Sequence, residues 1–401
     1  MHEGPLYTSL FSMEHFIPFS KNDLGRLLSA KFTDHKQRDD FARFCVLIGS
    51  VYHYRMYSIL EEFKASYLPL DPDRNIGLIQ TYTSGMTESL GKKAFADLES
   101  ILTAGNYTKI TGEKLKEAFA QTSPRGLDLK VNTEVYELLN LYYRGEHDDR
   151  MEKKEFLFRK HYEFSVYDRV IIVFSMKETP VSPKDDDERH FEKGRLYLKL
   201  FKNVPTVDLE MLFPDTKIVI RTFDQVKVIV PLAAGAVTTL YKIISYITNA
   251  GNPVHLWSQI GFWILIGSLF GVALKAFLGY KNTVEKYLKT LTSSLYFQNL
   301  DNNSGVFTNL LDDAEEEECK ELILAYYFLL AEKNGGLSLD ELDKTVEAFF
   351  LKELGVKLDF EVDDALRKLR EFGLLSDEKR LEVLPLDRSL PKLDDMWKAL
   401  V

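Results

Sequence analysis

Spacing of apolar residues predicts helices in the first third of the chain. Phe41, Phe44 and Ile48 recur at steps of three and four between residues 33 and 67, which is the period of one helix face. Ser20 and Thr33 are good N-cap residues, so we predict that helices begin just after them. The prediction for the first 150 residues is a helical domain, with further helices over about 88–104, 111–121 and 132–144.

The period changes to that of strands after residue 160. Three short runs, "YDRVIIVFSMK", "RLYLKLFKNV" and "TKIVIRTF", are rich in β-branched and aromatic residues. Such runs favour strands, so we predict a small sheet between residues 160 and 223. The segment "PTVDLEMLFP" is typical of a short helix between two of those strands.

Two apolar runs follow the predicted sheet. Residues 256–274 contain no charge, and their length is close to the roughly 20 residues that a helix needs to cross a bilayer. A weaker run over 228–247 precedes it, with the turn-rich segment "TNAGNPVH" between them. We therefore predict a transmembrane helical hairpin, with helices over 228–247 and 256–278. Whether the first helix spans the membrane or re-enters stays open.

Small residues and lysines complete the membrane prediction. Gly235, Gly267 and Gly271 are the predicted helix–helix packing residues, since small residues let helices approach closely. Lysine and arginine flank the hairpin, but its loop carries neither, which predicts that both termini face the cytosol or matrix. The apparent lack of a leader points to an integral protein of a bacterial inner membrane, or of the mitochondrial inner membrane in a eukaryote.

The last 120 residues predict a winged-helix-like domain. "AEEEECKELILAYYFLLAEK" has four glutamates that suit the positive end of a helix dipole, so we place a helix start there. Residues 338–341, "SLDE", form a capping box for the next helix. A third helix ends near Gly373, and "LLSDEKRLEVL" predicts two short strands. Three helices and a hairpin follow one another in the order of a winged helix.

Charge disfavours nucleic acid as a partner. The 401 residues carry a net charge of −10, and residues 312–401 hold 24 acidic and 13 basic residues. Binding to phosphate backbones depends on lysine and arginine, so this acidic domain is expected to contact proteins instead. The two cysteines, Cys45 and Cys319, cannot form a disulfide framework and are expected to be reduced.

No catalytic, cofactor-binding or metal-binding residue is predicted. The eight histidines are scattered, and neither a phosphate-binding loop nor a nucleophile elbow occurs. A candidate juxtamembrane surface is the exception, because its lysines could meet anionic headgroups and its carboxylates could act as acid and base. That surface comprises Lys199, Phe201, Lys202, Asp208 and Glu210.

Three segments resemble a known family. They are "EHFIPFSKNDL" with "EEFKASYLPLDPD", then "GRLYLKLFKNVPTVDLEMLFPDTKI", then "LYFQNLDNNSGVFTNLLDDAEEEECKELILAYYFLL". They look like the uncharacterised membrane-protein family, defined by a domain of unknown function, that includes mitochondrial transmembrane protein 143. The resemblance implies paired membrane helices and no activity.

The predicted fold class is α+β and mainly helical, in four parts. They are an N-terminal helical domain (1–150), a small α+β juxtamembrane domain (151–225), the transmembrane hairpin (226–280) and an acidic winged-helix-like domain (281–401). The predicted function is a membrane-anchored scaffold or regulatory adaptor that contacts lipid and proteins, and that could form homo-oligomers. A channel lined by Thr238, Thr239 and Ser245 and a surface enzyme acting on lipid are the alternatives.

Overall fold

A computed structural model describes the fold. It covers residues 16–74, 82–120, 128–155, 158–177, 191–214, 216–219, 260–332, 336–377 and 380–400, with scattered residues between 233 and 248. In these parts the chain is mainly helical, with one five-stranded antiparallel sheet. The helices are α1 (Lys21–Ser29), α2 (His35–Tyr67), α3 (Ser84–Ala104), α4 (Gly112–Ala120), α5 (Ile260–Gln298), α6 (Ser304–Ala331), α7 (Leu339–Phe349), α8 (Val362–Glu371) and α9 (Leu386–Leu400). One π-helical turn, Phe350–Leu354, extends α7.

The sheet has the strand order β1-β3-β4-β5-β7. Long strands β3 (Tyr136–Glu155) and β4 (Phe158–Met176) form its centre, flanked by β1 (Thr108–Lys109), β5 (Tyr197–Pro205) and β7 (Asn299–Asn302). Two small hairpins stand apart, β2 (Asp128–Val131) with β6 (Thr216–Val219) and β8 (Leu375–Asp377) with β9 (Glu382–Val383). The predicted strands coincide with β4, β5 and β6, and a 3-10 helix, Thr206–Leu212, lies between the last two as predicted.

The helix predicted over 132–144 is wrong, because most of that segment is the start of β3. Leu141 and Tyr142 are neighbours in sequence and both are buried, but they pack into two different apolar cores. Opposite orientation of successive side chains is a property of a strand. Pairing with the β-branched strand β4 therefore overrides the local helical spacing.

Both faces of the sheet are buried. Ile171 and Leu200 point into a large core formed by helices from both ends of the chain, including α1, α2, α3, α6 and α9. Ile172 and Phe201 point into a smaller core that α4 and the 3-10 helix cover. The first and last parts of the sequence thus meet in one core.

The predicted transmembrane hairpin is wrong. In the described parts of the chain, no helix has both the length and the apolar character needed to cross a membrane. The described portion of the second apolar run is the first half of α5, a 39-residue helix whose second half carries Lys281, Glu285 and Lys286. An uncharged run is equally compatible with a helix that packs on other apolar surfaces, so local composition could not decide between them.

The predicted integral-membrane location is wrong on the same finding, that none of the described helices is both long and apolar enough to cross a bilayer. The channel alternative required the same hairpin. Most of the first apolar run, including Gly235 and Thr239, lies outside the described residues.

The last helices follow the predicted order. α6, α7 and α8 precede the β8–β9 hairpin, and the capping box of Ser338 and Glu341 is confirmed. The start of α6 was predicted wrongly: the helix begins at Ser304, so its four successive glutamates lie in its middle and not at its N-terminus.

Candidate functional site

The candidate juxtamembrane surface does not form one open face. Phe201 is part of the smaller core, and Asp208 is buried with only 2% of its surface exposed. Lys199, Lys202 and Glu210 are half-buried on β5 and the 3-10 helix. The structure therefore divides these five residues between the core and a partly covered edge.

The two described packing glycines lie on an open helix face. Gly267 and Gly271 are exposed on α5, and a Cβ added at either would meet no atom within 4 Å. Large apolar side chains are exposed nearby, including Phe270 and Leu274. This face of α5 has room for another helix.

A run of charges in α6 is the most unusual feature of the core. Seven of the ten residues from Asp312 to Glu321 are acidic. Burial of a charge is costly unless an opposite charge and hydrogen bonds compensate it. Five charged side chains of this run are nevertheless buried: Glu315, Glu317, Glu318, Lys320 and Glu321.

Arg144 of β3 neutralises the middle of this run. Its guanidinium lies 2.9 Å from Oδ1 of Asp313 and donates to Oε1 of Glu317 at 2.7 Å. Lys320 also donates to Glu317 at 2.7 Å, and the backbone N–H of Ile17 donates to its second oxygen at 3.1 Å. The sheet and the N-terminal segment are thereby joined to α6 through one carboxylate.

Lys368 of α8 neutralises the other end. Its ammonium pairs with Glu321, and lies 3.2 Å from Glu318 and 2.8 Å from Asp364. Burial raises the pKa of Glu321 to about 7, although Lys368 acts in the opposite direction. Burial lowers the pKa of Lys368, but the carboxylates around it outweigh this effect and raise the pKa overall. Several carboxylates therefore hold Lys368 in its charged form. One of these carboxylates, Glu321, is protonated more easily than an ordinary glutamate.

A groove opens on the outer side of the same region. It lies between α1, α2 and α9, has a volume of about 800 Å³ and reaches Glu315 of α6. Its lining combines small residues, apolar or aromatic side chains and polar or charged ones. We call it the α2 groove and define it by Gly25, Ser29, Ala42, Val46, Gly49, Tyr54, Tyr57, Trp397 and the polar or charged residues Lys21, Arg26, Arg38, Asp39, His53 and Glu315.

Glu315 connects the groove with the charged run. The carboxylate pairs with Lys21, and its Oε2 lies 2.8 Å from Nδ1 of His53. Burial lowers the pKa of Lys21, but the hydrogen bond to Glu315 and the surrounding acids raise it overall. The carboxylate fixes the orientation of an imidazole that is mostly exposed. The second ring nitrogen of His53 can therefore hydrogen-bond to a molecule in the groove.

The groove residues do not assemble an activated nucleophile. The hydroxyl of Ser50 donates to the carbonyl of Val46 at 2.9 Å, which uses its proton within the helix. Burial raises the pKa of Cys45 to about 12, so this thiol is protonated at neutral pH. Across the described residues, no group of three metal-binding side chains is placed to hold an ion. The arrangement suits binding better than covalent catalysis.

Sequence reasoning did not identify the buried ion pairs or the groove. One signal was present: acidic residues occupy all sides of α6 between Asp312 and Glu321, more than one solvent-facing side of a helix can hold. A second signal was Arg144 inside the aromatic run "LYYRG". The groove had no local signal, because Glu315 of α6 and Trp397 of α9 are far from α1 and α2 in the sequence.

A family model matches part of the chain. Residues 167–305 are similar to a family described as a protein of unknown function, DUF3754. The match supports the domain of unknown function, but carries no link to transmembrane protein 143 or to a membrane-protein family. It covers the second half of β4, the whole of β5 and α5, and ends before Glu315. No solved structure is similar to this chain.

Proposed function

We propose that this chain is a scaffold or regulatory adaptor that binds a helical segment of another protein in the α2 groove. The observation that carries the proposal is the groove itself, an open apolar channel on a surface made of three helices. The proposal does not require a membrane anchor.

The shape of the groove favours a helix as the bound segment. Four of the residues that line it are small: Gly25, Ser29, Ala42 and Gly49. Small residues allow the backbone of a bound helix to approach, and helix-in-groove binding is a common mode of peptide recognition. A volume of about 800 Å³ accommodates on the order of two helical turns, from the diameter and pitch of an α-helix.

Exposed aromatic side chains supply the expected binding energy. Tyr57 is 56% exposed and Val46 is 68% exposed, and both line the groove. Tyr54 makes an edge contact with the half-buried Trp397 on the opposite wall. Tyrosine and tryptophan are enriched among the residues that contribute most to protein interfaces.

Charges on the rim favour an acidic bound segment. Arg26 and Arg38 lie around the groove with one exposed acid, Asp39, while Glu315 is buried and already paired. Carboxylates on the partner helix would complement the two arginines. The expected ligand is thus an amphipathic helix with apolar residues at steps of three and four and acidic residues beside them.

A blocking substitution tests the proposal. A display library of 16-residue helical peptides is selected on the wild-type protein, and the selected peptides are measured against Gly49→Phe. Gly49 has no atom within 4 Å of an added Cβ, so phenylalanine fills the groove without disturbing the core. We expect binding to weaken at least tenfold. The matched control is Gly85→Phe, another exposed helical glycine with open space above it, on α3.

Two results would contradict the adaptor function. One is selected peptides that lack the acidic amphipathic pattern. The other is equal binding to the wild type and to Gly49→Phe while Gly85→Phe behaves as the wild type. Either would show that the α2 groove does not select a helical protein segment.

A further inference from the structure

One stripe along α5 has the spacing of a helix–helix seam. Its positions are separated by alternating steps of four and three, which average the 3.5 residues per turn of a coiled coil. Every one of these residues is exposed. We call it the α5 stripe and define it by Gly267, Gly271, Leu274, Leu278, Lys281, Glu285 and Leu288.

The α5 stripe is mainly apolar although it faces outward. Leu274, Leu278 and Leu288 are each nearly half exposed. Gly267 and Gly271 leave open space beside them. A continuous exposed apolar surface of this kind indicates an interaction site.

The two charged residues of the α5 stripe indicate which partner it binds. Lys281 and Glu285 lie 4.0 Å apart in the second half of the stripe and are both well exposed. In an antiparallel pair of identical helices with the two-fold axis at residue 283, Lys281 of one copy faces Glu285 of the other. The same register places Leu278 opposite Leu288. A parallel pair would place each charge beside its equal, which is unfavourable.

We propose that the α5 stripe binds the α5 stripe of a second copy of this chain, in antiparallel orientation about residue 283. The contact is confined to residues 278–288, because this register places Gly267 and Gly271 of one copy beside the anchored end of the other helix. The C-terminal end of α5 is anchored to its own body, where Gln298 donates to the carbonyl of Asn203 and Leu295 packs on the smaller core. In the antiparallel register the two bodies are about 45 Å apart along the helix axis, from a rise of about 1.5 Å per residue.

This inference is independent of the α2 groove. The groove is built from α1, α2 and α9 on another surface, and none of its residues belongs to α5. Failure of one proposal therefore leaves the other untouched.

Disulfide crosslinking tests both the contact and its direction. Full-length Leu278→Cys and Leu288→Cys variants, with different tags and with Cys45→Ser and Cys319→Ala in the background, are expressed alone and together. After mild oxidation of the mixture we expect a crosslinked dimer that carries both tags. Its amount should be at least tenfold greater than the amount of crosslinked dimer that either variant forms alone. A disulfide requires the two residues to be close neighbours, so the antiparallel register predicts the mixed product.

Three results would overturn the proposal. Crosslinks from Leu278→Cys alone would show a parallel pair. No crosslink in the mixture would show that the stripe does not meet itself. Loss of the crosslink when phosphatidylcholine vesicles are added, with binding of the protein to them, would assign the stripe to a lipid surface instead.

Charge reversal gives a second measurement. Lys281→Glu or Glu285→Lys places like charges together twice, and each should weaken the dimer about tenfold in sedimentation, which corresponds to about 1.4 kcal/mol. The two changes combined should restore the dissociation constant to within about twofold. Lys286→Glu, one position off the stripe, is the control and should have little effect. Equal weakening by all three single variants would contradict specific pairing.

Discussion

Helices α5 and α6 depart in opposite ways from the rule that apolar residues are buried and charged residues are exposed. α5 is the more apolar helix, but Phe270, Phe277 and Tyr296 are exposed along it. α6 carries seven acidic residues in one ten-residue stretch, and most of these lie in or against the core. The difference is one of partners: cations from β3 and α8 meet the acids of α6, whereas the described apolar face of α5 is open.

Replacement of phenylalanine by alanine should destabilise the protein strongly on α6 and hardly at all on α5. The loss on α6 is the largest effect that we expect. Phe307 of α6 is fully buried and stacks on Phe63, so Phe307→Ala should lower the free energy of unfolding by about 3–5 kcal/mol. Phe270→Ala on α5 should change it by less than about 0.5 kcal/mol. Denaturant unfolding measures both. Similar losses for the two variants would show that α5 is packed into the fold.

Removal of a cation should cost nearly as much as removal of a core aromatic ring. Lys368→Ala leaves Glu318, Glu321 and Asp364 without their shared ammonium, and breaking such a buried group typically costs about 3 kcal/mol or more. Lys398→Ala, on an exposed lysine of α9, should cost no more than about 0.5 kcal/mol. If Lys368→Ala is as mild as its control, the acids of α6 are not held in the core by this lysine.

A smaller effect should appear in the pH dependence of stability. The pKa of Glu321 is about 7 in the folded protein, against 4.5 as its ordinary value. Because the folded pKa is the higher one, the unfolded chain releases this proton first. The Glu321 contribution to stability is thus present below pH 4.5 and lost as pH rises to about 7, by roughly 1–3 kcal/mol.

Glu321→Gln tests this dependence. The variant should remove that slope. Its single amide oxygen can still accept from Lys368, whereas the hydrogen bond from Asn106 to the other oxygen of Glu321 is lost. Glu61→Gln, on an exposed side chain of α2, is the control. An unchanged pH profile in Glu321→Gln, measured by thermal unfolding across pH 4–8, would show that the Glu321 proton is not linked to folding.

Local features were predictable from the sequence where local interactions decide the structure. Ser20 caps α1, and the reciprocal hydrogen bonds of Ser338 and Glu341 cap α7, because a cap involves only the first turn of a helix. The strands around Ile171 and Leu200 were found because β-branched and aromatic residues pack well in a sheet.

Features that depend on distant partners were not predictable. The segment before Arg144 has the spacing of a helix, and pairing with β4 and β1 makes it a strand. The apolar run of α5 has the composition of a spanning helix, and only the structure shows that one 39-residue helix continues from it through the charged residues that follow. The α2 groove requires α9 to pack against α2, which are more than 300 residues apart. Sequence periodicity contains none of these contacts.

The central claim is that the charged run of α6 lies inside the core, and carboxyl labelling measures this most directly. The folded protein is treated with a water-soluble carbodiimide and an amine, and modification of each acidic residue is followed by mass spectrometry over time. We predict that Glu317 and Glu321, which are buried and paired, react at least tenfold more slowly than the exposed Glu61 and Asp395. Equal rates for the two groups would contradict the account.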